Sequence, residues 1–177
     1  MRNHNGMRPQ DLVILLKIIS LTEQHSKDNN KIANKELANS LKISPAEITH
    51  SLNRSAYAGL LEPSQKRVNK RALLDFLKYG VKYVFPAQLG RIIRGIPTAH
   101  SAKPLSDLIQ QTDDNYVWAN LDGTVKGHEV VPLYDKIPEL VEKDDFLYQS
   151  LALVDAIRVG RNREYVLANQ ELEKLLN

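Results

Sequence analysis

The side chains best suited to chemistry in this sequence are hydrogen-bonding groups rather than catalytic ones. At about 100° per residue, a helix starting after Ser44 gathers Ala46, His50, Asn53, Arg54 and Tyr57 on one face, with Thr49 at its edge. An asparagine amide can pair with an adenine edge and a guanidinium with guanine, while threonine and histidine serve base edges or phosphates. Lys66, Arg67, Lys70 and Arg71 follow closely, as cations of the kind that track a phosphate backbone. Ser44 and the free amides at the start of the helix offer a further phosphate contact.

Enzymatic chemistry has less support. His4, His25, His50, His100 and His128 are scattered, with no His-x-x-x-His or Glu-x-x-His pair to hold a metal. The chain has no cysteine, which excludes disulfides and cysteine-ligated zinc or iron–sulfur centres. Gly90-Arg-Ile-Ile-Arg-Gly95 lacks the glycine spacing and the lysine of a phosphate-binding loop. The adjacent acids Asp113-Asp114 and Asp144-Asp145 face different ways on a regular element, and the second pair reads better as a helix cap. No enzyme activity, metal or cofactor is expected.

The elements that must position these groups have readable ends. A largely buried helix is predicted from Asp11 to about Gln24, with Pro9 near its start, followed by a polar loop over 25–31. A second helix follows from Asn34, taken as its N-cap, through Lys35–Leu41. After the short Lys42-Ile43 link, Ser44-Pro45-Ala46-Glu47 reads as a capping box with proline at the first helical position. That third helix should run to about Ala58 and bury Ile48, Leu52, Ser55, Ala56 and Gly59. Leu60–Glu62 reads as a short strand, 63–69 as a polar turn and Lys70 to about Tyr79 as a helix closing at Gly80.

Beyond Gly80 the pattern changes. Val81–Phe85 alternates like a strand, and the Gly- and Pro-rich stretch from Pro86 to Pro104 should be ordered coil. Its Arg91 and Arg94, mixed with aromatics, fit either a clamp on a nucleic-acid backbone or a structural strap. Tyr116–Trp118, an Asp122-Gly123 turn and Thr124–Leu133 resemble a hairpin. Helices are predicted over Ile137–Lys143, over Phe146–Val159 with Gly160 as its stop, and over about Asn162–Leu176. The stripes Leu147, Leu151, Val154, Ile157 and Val166, Leu172, Leu175, Leu176 suit either the chain's own core or a second subunit.

The whole-chain numbers set the frame. A length of 177 residues, 42% hydrophobic and 25% charged, suits one full domain or two small ones. No apolar run approaches the roughly 20 residues of a membrane span, and no signal peptide is evident, so a cytoplasmic location is expected with no membrane partner. The net charge of +3 is unevenly spread. Residues 42–103 hold eleven Lys/Arg against Glu47, Glu62 and Asp75, whereas residues 104–177 hold seven Lys/Arg against fourteen acids. A basic middle and an acidic end fit one part that meets a polyanion and one that does not, or plain solvated surface.

Helix, short turn, capped helix, short strand and basic turn is the order of a winged helix-turn-helix. Residues 10–77 resemble the DNA-binding domain of MarR-type (multiple antibiotic resistance regulator) proteins. The likeness rests on Asn34-Lys-Glu-Leu-Ala-Asn-Ser-Leu-Lys-Ile-Ser-Pro-Ala-Glu-Ile-Thr-His-Ser-Leu-Asn-Arg54 and the following Ala58-Gly-Leu-Leu61. Its wing, about eight residues from Glu62 to Asn69, is short, and beyond Gly80 the chain departs from the family.

The expected fold class is α+β, mainly α: a winged helix-turn-helix over 1–80, a basic connecting segment over 81–104 and an acidic hairpin-plus-helices domain over 105–177. The expected DNA-binding residues are Ser44, Thr49, His50, Asn53, Arg54, Lys66, Arg67, Lys70 and Arg71, with Arg91 and Arg94 as additional backbone contacts. The expected function is sequence-specific binding of double-stranded DNA by a homodimer that regulates transcription as a repressor. Two alternatives stand beside it: an adaptor or antitoxin-like subunit with a protein partner on its C-terminal half, and an RNA-binding module.

Overall fold

Three start signals that are legible in the sequence become three helices. A computed structural model describes residues 6–24, 32–62, 64, 66–110 and 114–177. The expected 25–31 loop, together with His4, His25, Pro63, Gln65 and Asp113, lies outside the described residues. Helix α1 (Pro9–Gln24) is buried without interruption from Asp11 to Leu21. Helix α2 (Asn34–Leu41) buries Leu37, Ala38 and Leu41. It ends where Lys42 takes a left-handed conformation at φ 53°, which turns the chain at once into Ile43 and Ser44. Helix α3 (Pro45–Tyr57) opens with Ser44 accepting the Glu47 amide at 3.2 Å and Pro45 at the first helical position.

Helix α3 closes on Gly59, at φ 74°, where a side chain would be strained. Strands β1 (Leu61–Glu62) and β2 (Arg67–Val68) then pair antiparallel, Leu61 opposite Val68 and Glu62 opposite Arg67. Helix α4 (Lys70–Tyr79) follows. The expected N-cap at Asn34 is displaced by one residue. Ala33 holds that position, and the Asn34 amide donates instead to Thr49 Oγ1 at 3.3 Å.

The chain divides into two units, Met1–Leu73 and Leu74–Asn177, so the boundary falls within α4 rather than at Gly80. In the second unit, 81–104 is not a connector. Val81–Val84 forms a single helical turn, α5, with Val81 fully buried and Tyr83 80% exposed. Val81 and half-buried Phe85 stand four apart, a helical spacing, and Pro86 stops the turn. The expected strand there is thus corrected, as is the coil after it: Leu89–Pro97 forms β3, the longest strand.

Strands β4 (Tyr116–Ala119) and β5 (Val125–Val130) both pair antiparallel with β3, and with each other in parallel. The expected hairpin is therefore replaced by three strands closed on themselves. The Asn120–Gly123 turn is real, with the Gly123 amide on the Asn120 carbonyl at 3.1 Å, but it feeds β5 onto β3. Three glycines allow the closure. A Cβ on Gly95 would lie 2.0 Å from the Trp118 carbonyl oxygen, on Gly123 2.4 Å from the Gly95 backbone, and on Gly127 2.3 Å from the Asn115 carbonyl oxygen.

Short helices α6 (Leu105–Leu108) and α7 (Ile137–Leu140) lead to α8 (Asp145–Val159) and α9 (Asn162–Leu176). As expected, Asp144 caps α8, accepting the Leu147 amide at 2.9 Å, and the helix stops at Gly160. The expected helix over Ile137–Lys143 is α7 followed by a 3-10 turn. The stripe Leu147, Leu151, Val154 and Ile157 is buried inside the second unit, as are Leu172 and Leu176, whereas Val166 is exposed. Both units together give an α+β fold that is mainly α. Among the described residues, no helix is long and apolar enough to cross a membrane.

Candidate nucleic-acid interface

Helix α3 presents two unlike faces. Ile48, Ser51, Leu52 and Ser55 are buried, and α3 packs with them on α1 and α2. Ala46, Thr49, His50, Asn53 and Tyr57 are exposed on the other side. The side chains of His50 and Asn53 have no hydrogen bond or ion pair with any other described residue. Thr49 is partly engaged: its hydroxyl donates to the Pro45 carbonyl at 3.0 Å and accepts from Asn34. Tyr57, 78% exposed, extends the row by one turn beyond Asn53. It shares the periodicity of His50 and Asn53, which is the signal that marks it.

Arg54 departs from the expected set. Its guanidinium donates Nε to Asp11 Oδ2 at 2.8 Å and Nη2 to Asp11 Oδ1 at 2.7 Å, the paired geometry of a strong ion pair. The same Nη2 reaches Glu47 Oε1 at 2.6 Å. Asp11 is fully buried and the Arg54 side chain is only 10% exposed. The Asp11 hydrogen bond, followed by burial acting in the opposite sense and by Glu47, leaves the Arg54 pKa raised. At 100° per residue Arg54 sits at the border of the polar face, so it turns inward and ties α3 to α1. A base-reading role for it is corrected accordingly.

Glu47 is corrected by the same contacts. Half of the expected capping box forms, through Ser44, but the Glu47 carboxylate serves Arg54 and the Gln10 amide at 2.7 Å rather than the Ser44 backbone.

The basic residues beyond α3 are divided in the same way. Lys66, at φ 47°, donates its ammonium to the Ile32 carbonyl, and burial lowers its pKa. It is bound up in the domain and is corrected as a phosphate contact. Arg67 is exposed on β2 and pairs across the strands with Glu62 at 2.7 Å. Lys70 lies 3.4 Å from Glu23, with both side chains close to half exposed. Arg71 is exposed on α4 and makes no ion pair with another described residue. Ser44 is exposed and spends its oxygen on the Glu47 amide.

Ser44, Thr49, His50, Asn53, Arg67 and Arg71 are thus exposed, and Lys70 partly exposed, in the first unit. Arg91 and Arg94 belong to the second, exposed on β3.

The second unit also holds a buried polar knot that sequence reasoning did not find. Asp155 on α8 accepts from Thr98 Oγ1 at 3.0 Å, from Trp118 Nε1 at 2.6 Å and from Arg158 Nη1 at 2.6 Å. Arg158 further donates Nε to the Phe85 carbonyl and Nη1 to the Val131 carbonyl. Burial pushes the Asp155 carboxyl up, against the pull of Arg158. The one available sign was an acid standing inside the apolar run Leu151–Ile157.

Comparison with family models, curated proteins and solved structures finds no match to this chain.

Proposed function

We propose that this chain is a sequence-specific, double-stranded DNA-binding transcriptional regulator whose first unit is a winged helix-turn-helix of the MarR kind. In this reading α3 is the recognition helix and β1–β2 the wing. One observation carries it: α3 buries Ile48, Ser51, Leu52 and Ser55 while His50 and Asn53, without a hydrogen-bond partner among the described residues, stand exposed with Tyr57 on the opposite face. A helix of that kind can enter the major groove, because one face is already committed to the domain and the other keeps its hydrogen-bonding capacity. The wing is two residues per strand, which suits phosphate contact by Arg67 and Arg71 better than insertion into the minor groove. The protein acts as a repressor, occupying promoter sites as a homodimer.

The test is selection of bound duplexes from a random library, followed by titration of the enriched duplex and a scrambled one. His50→Ala and Asn53→Ala should each weaken binding to the enriched duplex by roughly 1–3 kcal/mol and leave scrambled DNA nearly unaffected. Failure to enrich any sequence, or variants that bind like the wild type, would overturn the reading.

A further inference from the structure

The ladder between β3 and β5 creates a cationic face that no reading of either strand alone reveals. Arg94 is directly opposite Lys126, and Ile92 directly opposite His128. Directly opposed residues share a face, and residues two apart along a strand share it too, so Arg94, Lys126, Ile92 and His128 lie on one surface of the ribbon. Arg94 and Lys126 are exposed, Ile92 is 66% exposed, and Arg91 is exposed at the adjoining bulge. No ion pair involves Arg91, Arg94 or Lys126 among the described residues. His128 is otherwise occupied, its Nδ1 3.1 Å from the Gly90 carbonyl and its Nε2 3.4 Å from Asp114.

Like charges placed directly opposite each other destabilise a ladder. A sheet that nevertheless sets Arg94 against Lys126, with no acid pairing either, is arranged for an anion supplied from outside. Arg94 and Lys126 stand about 5 Å apart across the ribbon, with Arg91 at the adjoining bulge, and exposed Gly90 adds no side chain there. A phosphate backbone supplies the anions that these cations lack, and β-strands are an established shape for approaching a DNA groove. The short apolar contact of Ile92 suits a sugar edge and is too small for a lipid surface, which calls for a wide apolar face.

We infer that the Arg94–Lys126 face of the β3–β5 ribbon, with Arg91 beside it, is a second nucleic-acid contact that binds the phosphate backbone of duplex DNA without regard to sequence. It involves the second unit alone and does not rest on the reading of α3.

The experiment uses the full chain and a duplex of random sequence, titrated across a range of salt. Arg94→Gln with Lys126→Gln should lower the slope of log affinity against log salt by about 1.8, or about 0.9 for each lost phosphate contact. The midpoint of thermal unfolding should stay level or rise, because the substitution removes a repulsion. His50→Ala with Asn53→Ala, in parallel, should leave this slope near the wild-type value, so the two contacts can fail independently. An unchanged slope and affinity in the folded Gln variant would overturn the proposal. A loss confined to single-stranded RNA, with duplex DNA unaffected, would overturn it in favour of RNA. Should the Gln pair fail to fold, Arg94→Lys with Lys126→Gln keeps one charge, and a slope reduced by about 0.9 is the expected result.

Discussion

Arg54 carries the same charge whether it meets a phosphate or a carboxylate, and only its neighbours decide which. With Asp11 at 2.7 Å and Glu47 at 2.6 Å it is bound within its own domain, so its worth lies in folding. Arg54→Met should cost about 3–5 kcal/mol, the range seen when a buried ion pair loses one partner and strands the other. Denaturant unfolding measures it, and a second substitution, Asp11→Leu, should recover part of the loss by removing the stranded carboxylate. His50→Ala and Asn53→Ala, on the exposed face, should change stability by no more than about 0.5 kcal/mol. An Arg54→Met variant as stable as the wild type would show that the pair contributes nothing. Residue type was legible here, whereas partnership was not, because Asp11 and Arg54 are 43 positions apart.

At the scale of elements, local signals and distant ones parted company. The ends of α2, α3, α8 and α9 follow from caps, proline and glycine within a few residues, and they fall within a residue or two of expectation. The strands after Gly80 depend on pairing across some 30 positions, a separation that no local pattern spans. Gly95 is the clearest case: it lies in the stretch expected to be ordered coil, yet it sits where β3 passes from β5 to β4. Gly95→Ala would drive a methyl to 2.0 Å from the Trp118 carbonyl oxygen, which must displace backbone. A loss of about 3 kcal/mol or more is expected, at the upper end of overpacking penalties. Thermal unfolding followed through the Trp118 environment reports it, and a wild-type midpoint would mean that the strands can part at no cost.

For the whole molecule, the unit boundary redraws the distribution of charge. Met1–Leu73 holds twelve basic and six acidic side chains, and Leu74–Asn177 twelve and fifteen. The first unit is thus the cationic one, a charge balance that suits the proposed contact with DNA. The second keeps Lys78, Lys82, Arg91, Arg94 and Lys103 from the basic middle, so its acidic balance is milder than a cut at residue 104 implied. Such a cut would also strip β4 and β5 from β3. Oligomeric state is therefore best tested on the intact chain. A homodimer reading two half-sites sets its recognition helices about 34 Å apart or a multiple of it. Sedimentation at micromolar concentration should show a dimer, and footprints on the enriched duplex should repeat at that spacing. A chain that stays monomeric both alone and on DNA would remove the dimer from the proposed function. The buried stripe of α8 is not open to that contact, which leaves exposed surface such as Val166 on α9.

What the sequence determined by itself is what depends on neighbours along the chain. The helices of the first unit, the Ser44 cap, the exposure of His50 and Asn53 and the α+β class all arise from periodicities and caps spanning a turn or two. Only the tertiary structure decided which charges remain free and how the strands join. Arg54 and Lys66 are drawn inward by partners far along the chain, because a buried Asp11 or an open carbonyl must find a donor wherever the fold supplies one. Arg94 meets Lys126 through register, and register follows from three glycines that let backbones touch. Hydrogen-bond satisfaction and close packing act through space, and a pattern read along the chain carries no record of them.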